Sequence, residues 1–435
     1  MATSTTAGTP QAERPATTGP AAGASQAKYF IIAWALGLVF YFLDYVTRAA
    51  PAVMIPELSR AFGVTTVGLV AIIGTYYYTY STVSLVAGVA FDRLGARYSM
   101  TIGAVVLGLG CLLFYLPDRS AAYAGRLLQG AGCAFAFPGC VYLASRGFSA
   151  RVLATAIGFT QCVGMLGGSA GQFVVGPWLR QGLQEQQFWL GTGVVTLVVG
   201  AVLLMVTPGG KTGSATLAAG AAPTAGNWLS PYKTVFSNPQ SYLCGLVAGL
   251  LFAPTTIFAM TWGVNFFQVD RGLDFRTATL ACAMVPMGWV FGCPLLGWLA
   301  DHFGQRKPVL LAGAAGMLLS LAQLLFLPAL LPVYVSTFVL GLASGAAMIP
   351  YSVIKEANPD EVKGSATGAI NFLTFSVTTL LNPVFTRFFG RTLETAPDHA
   401  AHFRAAGLFW MGGIALAVLL TLLLRETGLG RKNSG

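Results

Sequence analysis

The chain has 435 residues, of which 55% are hydrophobic and only 9% are charged. A soluble domain carries about a quarter of charged residues, so this composition excludes an ordinary soluble protein and indicates that lipid surrounds most of the chain. The net charge of +10 would favour a nucleic-acid ligand in a soluble protein, but here the basic residues must first be placed relative to a membrane.

The first part of the chain is rich in Ala, Thr, Gly and Pro and lacks the residues that could form a core. We therefore expect residues 1–28 to be a disordered cytoplasmic tail. A cleavable signal peptide would place positive charge directly before a short apolar core, whereas here the apolar run begins late. We expect no such leader.

Apolar runs long enough to cross a bilayer core of about 30 Å, which needs about 20 helical residues, occur twelve times. The predicted spans cover residues 29–50, 66–90, 97–117, 121–145, 152–178, 187–207, 241–267, 278–300, 307–329, 331–354, 365–388 and 403–424. The sequence therefore predicts an all-α membrane protein with one six-helix bundle over 29–207 and a second over 241–424. A composition break over 208–240 predicts a cytoplasmic linker, and residues 425–435 a cytoplasmic tail.

Basic residues are divided unequally between the two sides of these spans. Fifteen lysines and arginines fall on the side of the two termini, including all seven lysines, and eight fall on the other side. Positive charge marks the cytoplasmic side, so both termini are predicted to be cytoplasmic. Topology then explains the net charge, and no nucleic-acid partner is expected.

Enzymatic or metal chemistry has no visible residues in this sequence. The seven cysteines all fall inside predicted spans without a Cys-x-x-Cys pair, and the three histidines lie in loops or at a span edge. Neither set has the spacing of a metal site or a catalytic triad. We therefore expect no cofactor, no metal and no enzyme activity, and a monomeric protein in the bilayer.

The first span carries an acid and a base that share one helix face. Asp44 and Arg48 are four residues apart, which allows them to pair. Asp44 lies about 22 Å along the helix from Tyr29, still within the hydrocarbon depth. A carboxylate there requires a partner, a proton or a watery cavity. The pair either takes part in transport or only fixes the first helix.

A string of the form Gly-x-x-x-Asp-x-x-Gly-x-Arg occurs twice, over residues 88–97 and 297–306. Each copy lies between two spans on the predicted cytoplasmic side. The glycine permits a tight reversal, and the carboxylate can pair with an arginine in one conformational state only. The predicted conformational latch consists of Asp92, Arg93, Gly95, Arg97, Asp301, Gly304 and Arg306. The alternative is that these residues only turn the chain and set its topology.

Two copies of this loop, at the second-to-third and eighth-to-ninth connections, resemble the signature loop of the major facilitator superfamily. The resemblance covers residues 29–424, although the second copy has His302 where the first has Arg93. It implies two pseudo-symmetric six-helix bundles that carry a small molecule by alternating access. The segment Phe42–Arg48 is also similar to one in the anion:cation symporter branch, whose members carry organic acids. That branch often has an acid in the fourth span where this chain has Cys133.

The fourth span contains the spacing Arg126-x-x-x-Gly130-x-Gly132. It resembles the fourth-helix motif of the same superfamily, whose arginine faces the central cavity and is linked to substrate or proton handling. Arg126 lies about one turn into the span, so it could instead extend to the membrane interface.

Polar side chains in the remaining apolar spans are further candidates for the cavity wall. Asparagine and glutamine in lipid need partners, so they should face neighbouring helices or the cavity. Hydrogen bonding between helices would explain them equally well. The predicted substrate-binding residues are Arg48, Arg126, Tyr76, Asn265 and Asn371.

These observations predict a secondary active transporter that imports a small organic anion, a carboxylate, together with protons. Arg48 and Arg126 would recognise the negative charge and Asp44 would couple proton uptake. Exporters of the superfamily often have a stricter Gly-Pro pattern in the fifth helix, and because that pattern is incomplete here, the resemblance implies import rather than export. The alternatives are an efflux carrier for drugs, siderophores or other metabolites, and a membrane receptor that does not transport. The expected location is a bacterial inner membrane.

Overall fold

A computed structural model describes residues 20–148, 150–182, 184–209, 230–359, 362–395 and 398–428. Every regular element in this part of the chain is helical. Most of the predicted N-terminal tail, the centre of the predicted linker and the last residues of the chain lie outside the described residues.

Among the described residues, eleven helical segments are long and apolar enough to cross a membrane. They are Ala27–Val53, Thr66–Phe91, Leu94–Phe114, Arg119–Gly147, Glu185–Val206, Pro239–Arg271, Phe275–His302, Lys307–Phe326, Val333–Glu356, Ser365–Phe389 and His399–Leu423. The helix Ala150–Phe173 lies at the predicted fifth position and is less apolar because of its glycines and polar residues. We number these twelve segments spans 1 to 12 in chain order.

Helix boundaries differ from the sequence prediction around the tail and the linker. The first helix begins at Pro20, so residues 20–28 are helical rather than part of a disordered tail, and proline is well suited to a first helical turn. Within the predicted linker, Ser230–Phe236 forms a short helix. Span 7 begins at Pro239 because Asn238 caps it, its side chain accepting a hydrogen bond from the Gln240 amide at 3.0 Å.

The two halves of the chain, spans 1–6 and spans 7–12, meet along two pairs of helices. Span 2 packs against span 11, and span 5 packs against span 8. Hydrogen bonds cross this boundary at both pairs: the Ser81 hydroxyl lies 2.7 Å from that of Ser376, and the Ser169 hydroxyl donates to the carbonyl of Ala283 at 2.9 Å. The halves are therefore in direct contact at these two levels, and we call this arrangement closed.

Span 7 is interrupted where it faces the other half. Residues Pro254–Trp262 form a π-helix, a distortion that the missing N–H group of proline promotes. Inside the membrane the displaced carbonyls still need donors. The Thr261 hydroxyl donates to the carbonyl of Thr256 at 2.8 Å, and the Gln172 amide of span 5 donates to that of Ala259 at 2.6 Å. The break is thus held from both halves.

The repeated loops reverse the chain as predicted. Gly95 and Gly304 have φ values of +71° and +60°, which side chains other than glycine rarely adopt. In the second copy, Arg306 pairs with Asp301 and, at 2.8 Å, with Glu356 at the end of span 10. These contacts lie within the second half.

In the first copy, the side chains of Asp92 and Arg93 lie outside the described part of the structure. Arg97 lies with its guanidinium 5.9 Å from the centre of the Tyr98 ring. The role of both copies as a latch stays a prediction.

Candidate functional site

A small cavity lies between the two halves, near the middle of the spans. Residues of spans 1, 2, 4 and 5 form one wall and residues of spans 7, 10 and 11 form the other. The lining residues are Tyr41, Tyr45, Tyr80, Phe137, Gln161, Phe252, Met348, Tyr351, Asn371 and Phe375. All of them are uncharged, and the cavity has room for about one water molecule. The cavity therefore presents an aromatic wall with a few polar groups.

An acid, a base and a phenol form a buried cluster directly behind this wall. The Arg48 guanidinium donates from Nη2 to Asp44 Oδ1 at 3.0 Å and to the Tyr76 hydroxyl at 3.0 Å, and that hydroxyl donates to Asp44 Oδ1 at 2.7 Å. All three side chains are excluded from solvent. The predicted pairing of Asp44 with Arg48 is therefore present, and Tyr76 joins spans 1 and 2 as its third member.

Arg48 keeps part of its hydrogen-bonding capacity unused. Its Nε and Nη1 atoms are buried and have no hydrogen-bond partner, although a guanidinium has five N–H donors. Aromatic rings surround it instead, with ring centres 4.3 Å (Tyr45), 4.8 Å (Tyr80) and 5.3 Å (Phe375) from its Cζ atom. These three rings also line the cavity, so they separate Arg48 from its interior.

Arg126 lies in the same half, but backbone and amide oxygens occupy its donors. Its Nε and Nη2 atoms donate to the carbonyl of Ile73, and Nη1 donates to the carbonyl of Thr47 at 3.1 Å and to Gln129 Oε1 at 2.6 Å. The side chain is fully buried, so it does not extend to the membrane interface. These bonds tie span 4 to spans 1 and 2, and a direct contact with substrate stays a prediction.

The charges of this cluster do not cancel. Two guanidinium groups, Arg48 and Arg126, accompany one carboxylate, Asp44, and all three are buried. With all of them ionised, Asp44 and Arg48 cancel, and Arg126, with its guanidinium 4.9 Å from the centre of the Tyr76 ring, brings the total to +1. A buried excess of positive charge attracts an anion more strongly than the same charge in water would.

The two predicted asparagines occupy different places. Asn371 lines the cavity, accepts a hydrogen bond from the Tyr351 hydroxyl at 3.2 Å and donates to the Ser84 hydroxyl of the first half at 3.3 Å. Asn265 is half-buried in the segment Gly263–Arg271 of span 7 and is not among the lining residues. Of the two, only Asn371 lies at the cavity wall, and substrate binding by either asparagine stays a prediction.

Most of the aromatic and apolar wall escaped prediction from the sequence. Tyr41, Tyr45, Phe137, Phe252 and Phe375 line the cavity, but in an apolar span such side chains are as common on lipid-facing or helix-packing positions. Only the concentration of tyrosines in spans 1 and 2 was a usable signal. Polar residues are rarer in lipid, so Gln161 and Tyr351 could be identified as cavity candidates.

Comparison with known proteins identifies the family. The family model described as Major Facilitator Superfamily matches residues 37–383 and, in a second match, residues 296–434. The chain belongs to the major facilitator superfamily. It is therefore a multi-pass membrane protein of a transporter family and not an enzyme, and the resemblance drawn from the repeated loop is confirmed.

Several named proteins are distant relatives of this chain. The membrane sensor protein UhpC of Escherichia coli (strain K12) is 26% identical over 369 residues, which cover 77% of this chain and 80% of that protein. The multidrug resistance protein Stp of Mycobacterium tuberculosis (strain CDC 1551 / Oshkosh) is 25% identical, with 68% and 63% covered. A probable hexose phosphate transport protein of Chlamydia trachomatis is 23% identical, with 66% and 68% covered.

Solved structures confirm the fold. A bacterial homologue of the human lysosomal transporter Spinster, in an inward-facing and unoccupied conformation, superimposes with a TM-score of 0.68 at 13% sequence identity. The match covers 91% of this chain and 95% of that one. The predicted all-α architecture of the superfamily is therefore present.

Proposed function

We propose that this transporter imports a small organic anion, a carboxylate, together with protons, by alternating access. The observation that carries the proposal is a buried cluster directly behind the cavity between the halves, with Arg126 as an additional positive charge beside it and with two Arg48 atoms, Nε and Nη1, that have no hydrogen-bond partner. A carboxylate has the charge and the acceptor geometry that a guanidinium edge binds. The relative named for hexose phosphate transport supports an anionic substrate in general.

The exchange of partners at Arg48 provides the coupling. When an anion reaches the free Nε–H or Nη1–H groups of Arg48, it shares the guanidinium charge that Asp44 otherwise has to itself. Asp44 then takes up a proton, because a buried carboxylate that loses compensation favours its neutral form. When the anion leaves, Arg48 again compensates Asp44 and the proton is released. Anion and proton therefore move in the same step.

Transport into proteoliposomes tests this function. We expect uptake of at least one radiolabelled compound from a panel of aliphatic, aromatic and hydroxylated carboxylates, stimulated by an inward proton gradient. Arg48→Lys keeps the charge but loses the planar donor edge and should reduce uptake about tenfold or more. Asp44→Asn should remove the stimulation by the proton gradient. Uptake that responds to neither substitution would refute the assignment.

The membrane and the orientation belong to the same proposal. We infer a bacterial inner membrane with both termini in the cytoplasm and a monomeric carrier. All seven lysines of the sequence lie on the side of the termini, as the positive-inside rule requires. Labelling of single cysteines at the ends of the spans from one side of oriented membranes tests the orientation.

Two other functions have a specific observation in their favour. The aromatic cavity wall suits an apolar drug, and one relative is named as a multidrug resistance protein. An exporter would confer resistance that depends on Asp44 but little on Arg48. A second relative is named as a membrane sensor. A sensor would keep its sensing function after Asp44, Arg48 and Arg126 are replaced together. An importer or an exporter would lose transport after the same replacement.

A further inference from the structure

The aromatic rings around Arg48 come from both halves of the protein. Tyr45, Tyr76 and Tyr80 belong to spans 1 and 2, whereas Phe375 belongs to span 11 of the second half. The Phe375 ring centre lies 5.3 Å from Arg48 Cζ, within the distance of about 6 Å at which a ring face attracts a cation. Phe375 is 3% exposed. This contact therefore joins the charged cluster of one half to the other half.

Phe375 also lies at the place that an anion must reach. Its ring lines the cavity and packs edge-to-face on Tyr80, with ring centres 4.5 Å apart. Behind it, the Nε and Nη1 atoms of Arg48 have no hydrogen-bond partner. A substrate that approaches these atoms from the cavity has to pass the rings of Tyr45, Tyr80 and Phe375, and Phe375 is the one of these that the second half contributes.

Span 11 holds the ring firmly in this position while the halves are closed. The Ser81 hydroxyl of span 2 contacts the residues on either side of it, donating to the carbonyl of Phe372 at 3.1 Å and lying 2.7 Å from the Ser376 hydroxyl. The Phe252 ring packs on its other side with ring centres 5.4 Å apart. Separation of the halves at this level would withdraw Phe375 from Arg48.

We propose that Phe375 substitutes for the bound anion in the empty, closed carrier. This inference rests on the proposed role of Arg48 as the anion-binding group. A buried guanidinium with unused donors needs compensation when no substrate is present, and the Phe375 ring face supplies part of it only when the halves are closed. Phe375 is therefore a positioning residue that lets the empty carrier close and return to its starting conformation. Net transport requires this return of the empty carrier. Exchange does not, because the carrier is then loaded in both directions.

The closed population of the substrate-free protein tests the proposal without knowledge of the substrate. Spin labels at Arg60→Cys and Arg276→Cys report one end, and labels at Leu94→Cys and Gln305→Cys report the other. All four positions are exposed, one of each pair in each half. Distances are measured by pulsed electron paramagnetic resonance in lipid nanodiscs, in a background from which the seven native cysteines are removed.

Loss of the ring should shift the substrate-free protein away from the closed state. In Phe375→Leu we expect the ratio of open to closed populations to rise about fivefold to tenfold at one end or both, as the loss of a desolvated cation–π contact implies. Phe375→Tyr keeps the ring face and should resemble the unsubstituted protein. Phe385→Leu is the matched control, because this buried ring on the same span packs on Trp262 and Trp410, away from Arg48.

Two results would overturn the proposal: unchanged distances in Phe375→Leu, or equal opening in Phe385→Leu. A second test uses any carboxylate that the uptake panel identifies. Phe375→Leu should lower net uptake of this carboxylate into empty vesicles. It should preserve exchange across the membrane when the carboxylate is present both inside and outside the vesicles. Equal loss of both would also contradict it. If no carboxylate is taken up, the proposed function fails, while the distance measurement still decides whether Phe375 stabilises the empty closed state.

Discussion

At the scale of single residues, the cluster of Asp44, Arg48 and Tyr76 shows what spacing can and cannot predict. The pairing of Asp44 with Arg48 follows from a separation of four residues on one helix. Tyr45 belongs to the same helix as Arg48, but the rings of Tyr80 and Phe375 come from spans 2 and 11, which tertiary packing alone brings to it. The sequence likewise predicted that Arg126 is either buried or at the membrane interface. It did not predict that the carbonyls of Ile73 and Thr47 would occupy its donors.

The pairing of Asp44 and Arg48 should appear as a coupling in stability. Asp44→Ala leaves the Arg48 guanidinium buried without its carboxylate, which we expect to destabilise the protein by about 3–5 kcal/mol. The double variant Asp44→Leu with Arg48→Met removes both charges and should be clearly more stable than Asp44→Ala. Thermal unfolding in detergent micelles compares the variants. If the double variant is no more stable than Asp44→Ala, the carboxylate and the guanidinium do not stabilise each other as a pair.

At the scale of helices, the ends of the second half are stabilised by contacts that no sequence motif predicts. Asp270 at the end of span 7 is buried, and His402 Nδ1 of span 12 lies 2.7 Å from its Oδ2. The other ring nitrogen of His402 lies 3.3 Å from the carbonyl of Phe389. Sequence reasoning placed this histidine at a span edge and missed its partner, because the two are distant in the chain.

The opposite end of the second half depends on an acid in the C-terminal segment. Glu426 accepts hydrogen bonds from the backbone N–H groups of Arg306 at 2.7 Å and Lys307 at 2.9 Å, at the start of span 9. Partial burial opposes ionisation of this carboxyl, but the backbone N–H donors outweigh it and lower its pKa. A carboxylate at a helix N-terminus is also favoured by the helix dipole.

The cap that Glu426 forms on the N-terminus of span 9 should therefore weaken in acid. Because the pKa of Glu426 is lowered by folding, its contribution is present above the ordinary glutamate pKa of about 4.3 and is lost as the pH falls through the lower value in the folded state. We expect hydrogen exchange of the Arg306 and Lys307 amides to be faster in Glu426→Gln than in the unsubstituted protein at neutral pH. The difference should shrink towards pH 3. A difference that does not change with pH would show that the charge of Glu426 has no part in the cap.

At the scale of the whole molecule, the repeat and the apolar spans were enough to predict two six-helix halves. A composition that forces every backbone group to be satisfied inside lipid leaves few alternatives to helices. Local irregularities of the helices were less predictable. The π-helix of span 7 and the helix Ser230–Phe236 depend on neighbouring residues in the fold as well as on the local sequence. The wall of the cavity was the least predictable part, because its aromatic residues are indistinguishable from packing residues until the halves are assembled.

Closure of the halves should be sensitive to one glycine where they meet. Gly74 of span 2 faces Asn382 of span 11, and a Cβ atom at Gly74 would lie 3.0 Å from the Asn382 Cγ and closer still to its Nδ2. Asn382 is 5% exposed and has little room to move. Gly74→Leu should therefore hold the two halves apart at this end, increase the distance between labels at Arg60→Cys and Arg276→Cys, and abolish transport.

The matched control is Gly191→Leu in span 6, where an added Cβ atom meets nothing within 4 Å. Both substitutions replace a helical glycine by a residue with a higher helix propensity, a gain of about 1 kcal/mol, so helix propensity does not separate them and only the contact with Asn382 does. The control should retain both the label distances and the uptake of the unsubstituted protein. If Gly74→Leu also retains them, the halves tolerate extra volume between spans 2 and 11, and tight closure at this level is not required for transport.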